Sequence, residues 1–371
     1  MLCGIMDHWV PSADAVSRFW KTPFETLAPL MTSLCDEVAV NNVTFYTKWY
    51  TNGYRSNLPF LPNHPEAQNV RTGNDWGRQW IDFLHARGMT AGAMIQSYTY
   101  MPGYFPEEHT LGVWKNTSDC TGLPPEKCSI IIDPTYPAFT AAFEAMLEEQ
   151  LRLFPGLDAV FLEFEGLCSV APVHALARAG AQATPDESIR AQWNDCGWSV
   201  PERDWWIWTP PVQSILKERL RAHLSAAERV FARVGFRGVR GVVYHAMSYE
   251  TPYLTGCLPS KDWWLLPWHY WGWDFDEQTP DAMVRRQMDW CKAQFRARIA
   301  EGHPLCYIGN ATLPTQRLDS IREMANFCKE EGAAGHLGMG NPIPDYGLRW
   351  LKATEGGIRT VRALYRELFP K

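Results

Sequence analysis

No stretch of this chain is apolar for the roughly 20 residues that a membrane-spanning helix needs. No basic run offers counter-charge to a phosphate backbone or an anionic surface. With 35 Lys and Arg against 41 Asp and Glu, the net charge is −6, so neither nucleic acid nor a membrane is expected as the main partner. The ten cysteines contain no Cys-x-x-Cys pair, which removes the usual spacing for zinc or dithiol redox chemistry. There is no His-x-His on the first apolar run and no His-Glu-x-x-His. The Gly-rich turn of a dinucleotide-binding unit is missing after that run, and no repeat or low-complexity segment is present. The N-terminus lacks the charged start and long apolar region of a signal peptide, giving a cytoplasmic expectation.

What the chain does have is apolar mass and tryptophan. Its 371 residues, 46% hydrophobic and 20% charged, suffice for a sizeable core. Eighteen tryptophans exceed ordinary core needs, even if more than half serve as core or loop anchors. Trp205, Trp206 and Trp208 form one group; Trp263, Trp264, Trp268, Trp271 and Trp273 form another. A flat aromatic face with a polar edge suits a sugar ring. Cys120 and Cys128, in a polar loop, are placed for a local disulfide, while the cysteines in apolar runs read as buried thiols. The sequons at Asn42, Asn116 and Asn310 read as chance, since the first and last fall in or at the end of strand-like runs.

Short apolar runs alternate with amphipathic segments. Strands are expected at Leu2–Trp9, within Val38–Trp49, and at Thr90–Tyr98, Leu157–Gly166, Gly241–Met247, Trp263–Trp273, Leu305–Asn310 and Ala334–Asn341. Helices are expected at Phe19–Leu34 with a break at Pro23, at Asp75–Arg87 closed by Gly88, and from Phe139 to Phe154 ahead of Pro155-Gly156. Further helices fall at Val212–Val234, Pro280–Ile299, Arg317–Glu330 and Tyr346–Leu368, with a short one at His174–Ala183. From Pro102 to Pro134 no period is evident. Eight strands alternating with helices define an α/β chain of one domain over residues 1–371. The fold is a single (β/α)8 barrel with long loops after strands three and four.

In such a barrel the strand C-terminal ends converge on one mouth. The fourth run, Asp158-Ala159-Val160-Phe161-Leu162-Glu163-Phe164-Glu165, is apolar yet ends in two carboxylates one residue apart. Strand alternation puts Phe161, Glu163 and Glu165 on one face. The other strand ends contribute Asp7 and His8, Lys48 and Trp49, Gln96 and Tyr98, His245, His269 with Trp273 and Asp274, Asn310, and His336 with Asn341. Polar groups ending nearly every apolar strand describe a polar-lined pocket. Carboxylates and tryptophans there point to glycosidic bond cleavage, in which one carboxylic acid protonates the leaving oxygen. Glu165, nearest the mouth, is the expected acid. Glu163, one inward position deeper, loads that acid by like-charge repulsion or orients substrate. Asp274 is the candidate base. The remaining strand-end residues His8, Lys48, Trp49, Gln96, Tyr98, His245, His269, Trp273, Asn310 and Asn341 are expected to contact a carbohydrate substrate, with no cofactor. For an acidic sugar, Lys48, Arg55 or His8 would receive the carboxylate.

The same eight residues resemble the fourth-strand signature of chitinase-like barrel glycosidases, Asp-Gly-x-Asp-x-Asp-x-Glu. That resemblance implies Glu165 as the acid and Glu163 as the group that helps a substrate N-acetyl substituent act. Phe161 stands in place of the first inner Asp, Glu163 is one methylene longer than Asp, and the sixth strand has no Tyr-Asp pair. The chain is also similar in outline to the barrels of hexosaminidases and α-glucuronidases. Two alternatives stand beside this reading. In the first, Glu163, Glu165, His245, His269 and Asp274 hold a divalent ion in a sugar-isomerase-like barrel; the second is a carbohydrate-binding barrel without catalysis.

Overall fold

Each of the eight apolar runs becomes a strand in the computed structural model. It describes residues 1–6, 21–48, 53–61, 63, 65–96, 99–100, 110–113, 130–132, 135–163, 210–245, 256–269, 281–310, 318–339 and 355–371. The barrel strands are β1 (Leu2–Met6), β2 (Asn42–Lys48), β3 (Thr90–Gln96), β7 (Ala159–Glu163), β8 (Val239–His245), β9 (Trp263–His269), β10 (Cys306–Asn310) and β11 (Gly335–Met339). They pair in parallel in sequence order, and β1 pairs with β11 to close the barrel. Between β3 and β7 lie β4 (Thr99–Tyr100), β5 (Thr110–Val113) and β6 (Ile130–Ile132). They form an antiparallel sheet in the order β4-β6-β5, where the sequence showed no period. Strands this short carry too few alternations to register as a pattern.

The helices are α1 (Phe24–Glu37), α2 (Gln68–Thr72), α3 (Asp75–His85), α4 (Pro137–Leu153), α5 (Pro210–Val234), α6 (Asp281–Ala300), α7 (Leu318–Glu330) and α8 (Glu355–Leu368). In α4 the buried Phe139, Phe143, Met146, Leu147 and Leu151 recur at helical spacing and make one face for the barrel. α3 gives way to Gly88 in the left-handed region at φ +68°, where the Met89 N–H returns to the Leu84 carbonyl. Pro23 interrupts the helical run as expected, with Lys21 helical before it and α1 starting at Phe24 after it. It precedes the first turn of α1, and its carbonyl accepts from the N–H groups of Thr26 and Leu27. The expected helix at His174–Ala183 and the first residues of that at Tyr346–Leu368 lie outside the described residues. Arg362 and Arg366 clamp α8 to Glu37 of α1, and Ala39 N–H donates to the Phe369 carbonyl, so the last helix seals the seam where β1 meets β11.

Side-chain direction follows from the packing. Phe45 meets Trp80 of α3, which puts the odd residues of β2 against the helices and Asn42, Thr44 and Lys48 toward the lumen. The register then assigns Gly92, Met94 and Gln96 of β3, and Ala159, Phe161 and Glu163 of β7, to the lumen. The lumen is filled rather than open: a Cβ on Gly92 would fall 2.4 Å from Thr44 Oγ1, and one on Gly241 2.5 Å from Leu266. Asn42 is fully buried and donates to Thr90 O and Oγ1, while Thr44 donates to Asn42 Oδ1. This sequon asparagine is therefore a core residue of the barrel wall.

Candidate active site

All eight barrel strands are parallel, so their C-terminal residues share one end. Six of these, on strands that follow one another around the wall, are polar residues expected at the mouth: Lys48 closes β2, Gln96 β3, Glu163 β7, His245 β8, His269 β9 and Asn310 β10. The side chains of His245, His269 and Asn310 lie outside the described residues, as do His8, Trp49, Tyr98, Glu165, Trp273, Asp274 and Asn341 entirely. The described core of the site is therefore Lys48, Gln96 and Glu163.

These three side chains come from consecutive strands. Gln96 is level with Glu163 in the β3–β7 ladder. A bulge between Tyr46 and Lys48 sets Lys48 level with Ile95. An inserted residue of this kind re-aims the side chain that follows it. Lys48 is 1% exposed, and Gln96 and Glu163 are 0% exposed, which is rare for an ionisable pair unless the partners compensate one another. The Lys48 ammonium donates to the Gln96 carbonyl at 2.8 Å. Burial pulls the Lys48 pKa down from 10.5 to about 7, against the opposing attraction of the Glu163 carboxylate. An amine poised near neutrality beside a buried carboxylate can hold a proton, release it, or fix the charge on its neighbour.

The loop after β2 is pinned from several sides. Asn69 Nδ2 donates to the Gly53 carbonyl at 3.1 Å, and the Arg55 N–H to Asn74 Oδ1 at 2.7 Å. The Asn57 N–H reaches Glu149 Oε1 of α4 at 2.8 Å, and the Ser56 hydroxyl donates to the same carboxylate. Arg55 is exposed, and its main chain is fixed by Asn74. Sequence reasoning counted Lys48 only as one cation among several. The signal available was a lysine closing a strand whose central residues, Val-Thr-Phe-Tyr-Thr, all favour strands.

His336 is not a mouth residue. It is the second residue of β11, lies level with Tyr307 of β10, and packs between Tyr307 and Phe369 with both centroid distances at 5.2 Å. Its neighbours are on the helix side of the wall, and burial lowers its pKa to about 3. The strand begins at Gly335, so alternation turns His336 outward. Among the described cysteines, Cys257, Cys291, Cys306 and Cys328 are buried free thiols, whereas Cys3 and Cys35 are half-buried. Cys120 and Cys128 lie outside the described residues. Among the described residues no group of three or more His, Cys, Asp or Glu side chains is placed to hold a metal ion.

A surface cavity of about 670 Å³ opens at the other end of β7, lined by Arg152, Phe154, Asp158, Phe236 and Arg237 among others. Its carboxylate, Asp158, accepts from the Ala91 N–H at 2.8 Å and lies 2.9 Å from His85 Nε2, which ties the start of β7 to β3 and α3. Asp158 and Glu163 thus bracket one strand, the first at its start and the second at the mouth.

No family model matches the chain, and no curated protein matches it in sequence. Solved structures do match in fold. The chain is similar to α-L-fucosidase isoenzyme 2 from Paenibacillus thiaminolyticus, with 12% identity, a TM-score of 0.52, and 99% of this chain aligned to 49% of that one. It is also similar to a maltogenic α-amylase from Thermotoga neapolitana, again at 12% identity, with a TM-score of 0.51 and 100% of this chain aligned to 77% of that one. The chain thus spans about half the length of the fucosidase. Both neighbours are glycoside hydrolases by name, and what the likeness shows is the (β/α)8 barrel fold.

Proposed function

We propose that the protein hydrolyses an O-glycosidic bond at the C-terminal mouth of the barrel. The observation that carries this reading is a fully buried carboxylate, Glu163, closing the fourth barrel strand beside Gln96, with the buried Lys48 amine one strand further round the wall. Glu165, two residues further along, is the general acid. It gives its proton to the glycosidic oxygen as the bond to the anomeric carbon breaks. The hydroxyl of water then joins that carbon, and the proton of water passes to a carboxylate, for which Asp274 is the candidate. Glu163 is the inner partner that stabilises the developing positive charge or orients the ring, and Trp273 with other loop tryptophans forms sugar subsites. The fold neighbours support the class of reaction, a fucosidase and an amylase by name. N-acetylhexosaminides and uronic-acid glycosides are the first sugars to test.

A second reading, a divalent-metal sugar isomerase, is favoured by one observation: Glu163, His245 and His269 close three consecutive strands. One experiment separates the two. A panel of aryl glycosides, including N-acetylhexosaminides and glucuronides, is assayed with and without a strong chelator beside elemental analysis of the protein. Aryl release that survives chelation and falls at least ~100-fold in Glu165→Gln, with sugar binding retained, is the expected result. Turnover near wild type in Glu165→Gln overturns the acid assignment. Stoichiometric metal without glycoside cleavage moves the site to the isomerase reading.

A further inference from the structure

Lys48 and Glu163 are both sealed from solvent, and the strand between theirs, β3, gives Lys48 a carbonyl acceptor through Gln96. Around Lys48 the described lumen-side residues near the mouth are Met94 and Gln96 on β3 and Phe161 and Glu163 on β7. Glu163 alone of these ionises, and its carboxylate is the charge that counters the loss of hydration at Lys48. The bulge at the end of β2 belongs to the same arrangement, because it moves the lysine into level with Ile95.

We propose that Lys48 is a positioning residue for Glu163, compensating and orienting that carboxylate across β3 so that Glu163 enters the reaction as an anion and not as the proton donor. This rests on the glycosidase reading and assigns the two carboxylates of the fourth strand to separate tasks. With its charge compensated inside the wall, Glu163 exerts less repulsion on Glu165. The proton on Glu165 is then held by its own surroundings and not chiefly by Glu163. The pair also makes the floor of the mouth electrically balanced while Lys48 is protonated, which favours an uncharged ring over a uronate there.

The coupling is testable without turnover. Protein carrying carbon-13 at the lysine ε position is titrated by NMR, with Lys48→Met identifying the signal. The Lys48 resonance is expected to titrate far below an ordinary lysine, and to move to still lower pH by at least half a unit in Glu163→Gln. Titration unchanged in Glu163→Gln overturns the proposal, whatever happens to Glu165→Gln. Kinetics supply the second arm. In Lys48→Met the acid limb of the kcat/KM profile is expected to shift to higher pH, because an uncompensated buried carboxylate ionises later. An unshifted limb with kcat lowered at every pH would mark Lys48 as merely structural and overturn the assignment. If Glu163→Gln does not fold, Glu163→Asp serves, retaining charge at a longer reach and moving the lysine titration by less.

Discussion

Two buried nitrogen bases sit on the same barrel wall and are used in different ways. Lys48 closes β2 on the lumen side, and burial takes its pKa to about 7. His336 lies one residue into β11 on the helix side, and burial takes its pKa to about 3. The displacing force is the same, loss of hydration around the charged form. The neighbours differ: a carboxylate, Glu163, acts on Lys48, whereas the rings of Tyr307 and Phe369 enclose His336, and its Nε2 has no hydrogen-bond partner among the described atoms. A partner charge keeps a buried base within reach of protonation near neutral pH. Aromatic packing leaves it a neutral filler. Only the first arrangement suits a reaction site.

The largest way to break the comparison is to remove one member of the charged pair. Lys48→Met leaves the Glu163 carboxylate buried beside an apolar chain, and a loss of about 3–5 kcal/mol in chemical denaturation at neutral pH is expected. Replacing both, Lys48→Met with Glu163→Met, should restore stability to within about 1 kcal/mol of the parent or above it, while abolishing any turnover. A double variant as unstable as the single one would show that the pair is not the source of the cost.

The two bases also leave separable marks on stability against pH. Both have folded pKa values below their unfolded ones, so in each window the unfolded chain binds more protons and stability rises with pH, by up to about 1.4 kcal/mol per unit per group. For Lys48 the window runs from about 7 to 10.5. For His336 it runs from about 3 to 6.5, and buried His223, which stacks on Phe143 and whose pKa burial lowers to about 3, shares it. His336→Phe should therefore flatten part of the acid arm without changing activity, and Lys48→Met should flatten the alkaline arm. An acid arm unchanged in His336→Phe would mean that the imidazole is hydrated in the folded state.

The same contrast shows what the sequence discloses. Eight strands, their parallel order and six of the polar strand ends are legible because period and strand-end chemistry are local properties. The identity of a partner is not local. Nothing in Thr47-Lys48 announces a bulge, since it arises only when β2 is laid against β3. His336 was misplaced because its polarity was given more weight than its position next to Gly335, and a one-residue step in a strand reverses the face. The break at Pro23 is legible because a proline cannot continue a helix that runs into it. Only the chain direction after Pro23, with its carbonyl accepting from Thr26 and Leu27, reveals a beginning. The short strands of the β4-β6-β5 sheet escaped because three residues of isoleucine in β6 fit any period.

Away from the mouth, charged contacts are expected to matter less, and their rank follows exposure. Asp158→Ala removes the acceptor of the Ala91 N–H and the contact to His85, in side chains that are 38% and 41% exposed, and should cost about 1 kcal/mol with no change in turnover. Arg233 on α5 bridges Glu144 and Glu148 of α4 at 3.3 and 2.6 Å with 43% of its side chain exposed. Those carboxylates also receive Arg229 and Arg152, so losing one guanidinium leaves each with another partner. Arg233→Ala should therefore lower stability by at most about 0.5 kcal/mol, and the difference should vanish as salt shortens the screening length. A loss that is larger and indifferent to salt would mean that the Arg233 stem packs the α4–α5 seam as an apolar group, and that exposure alone does not separate this ladder from the buried pair at the mouth.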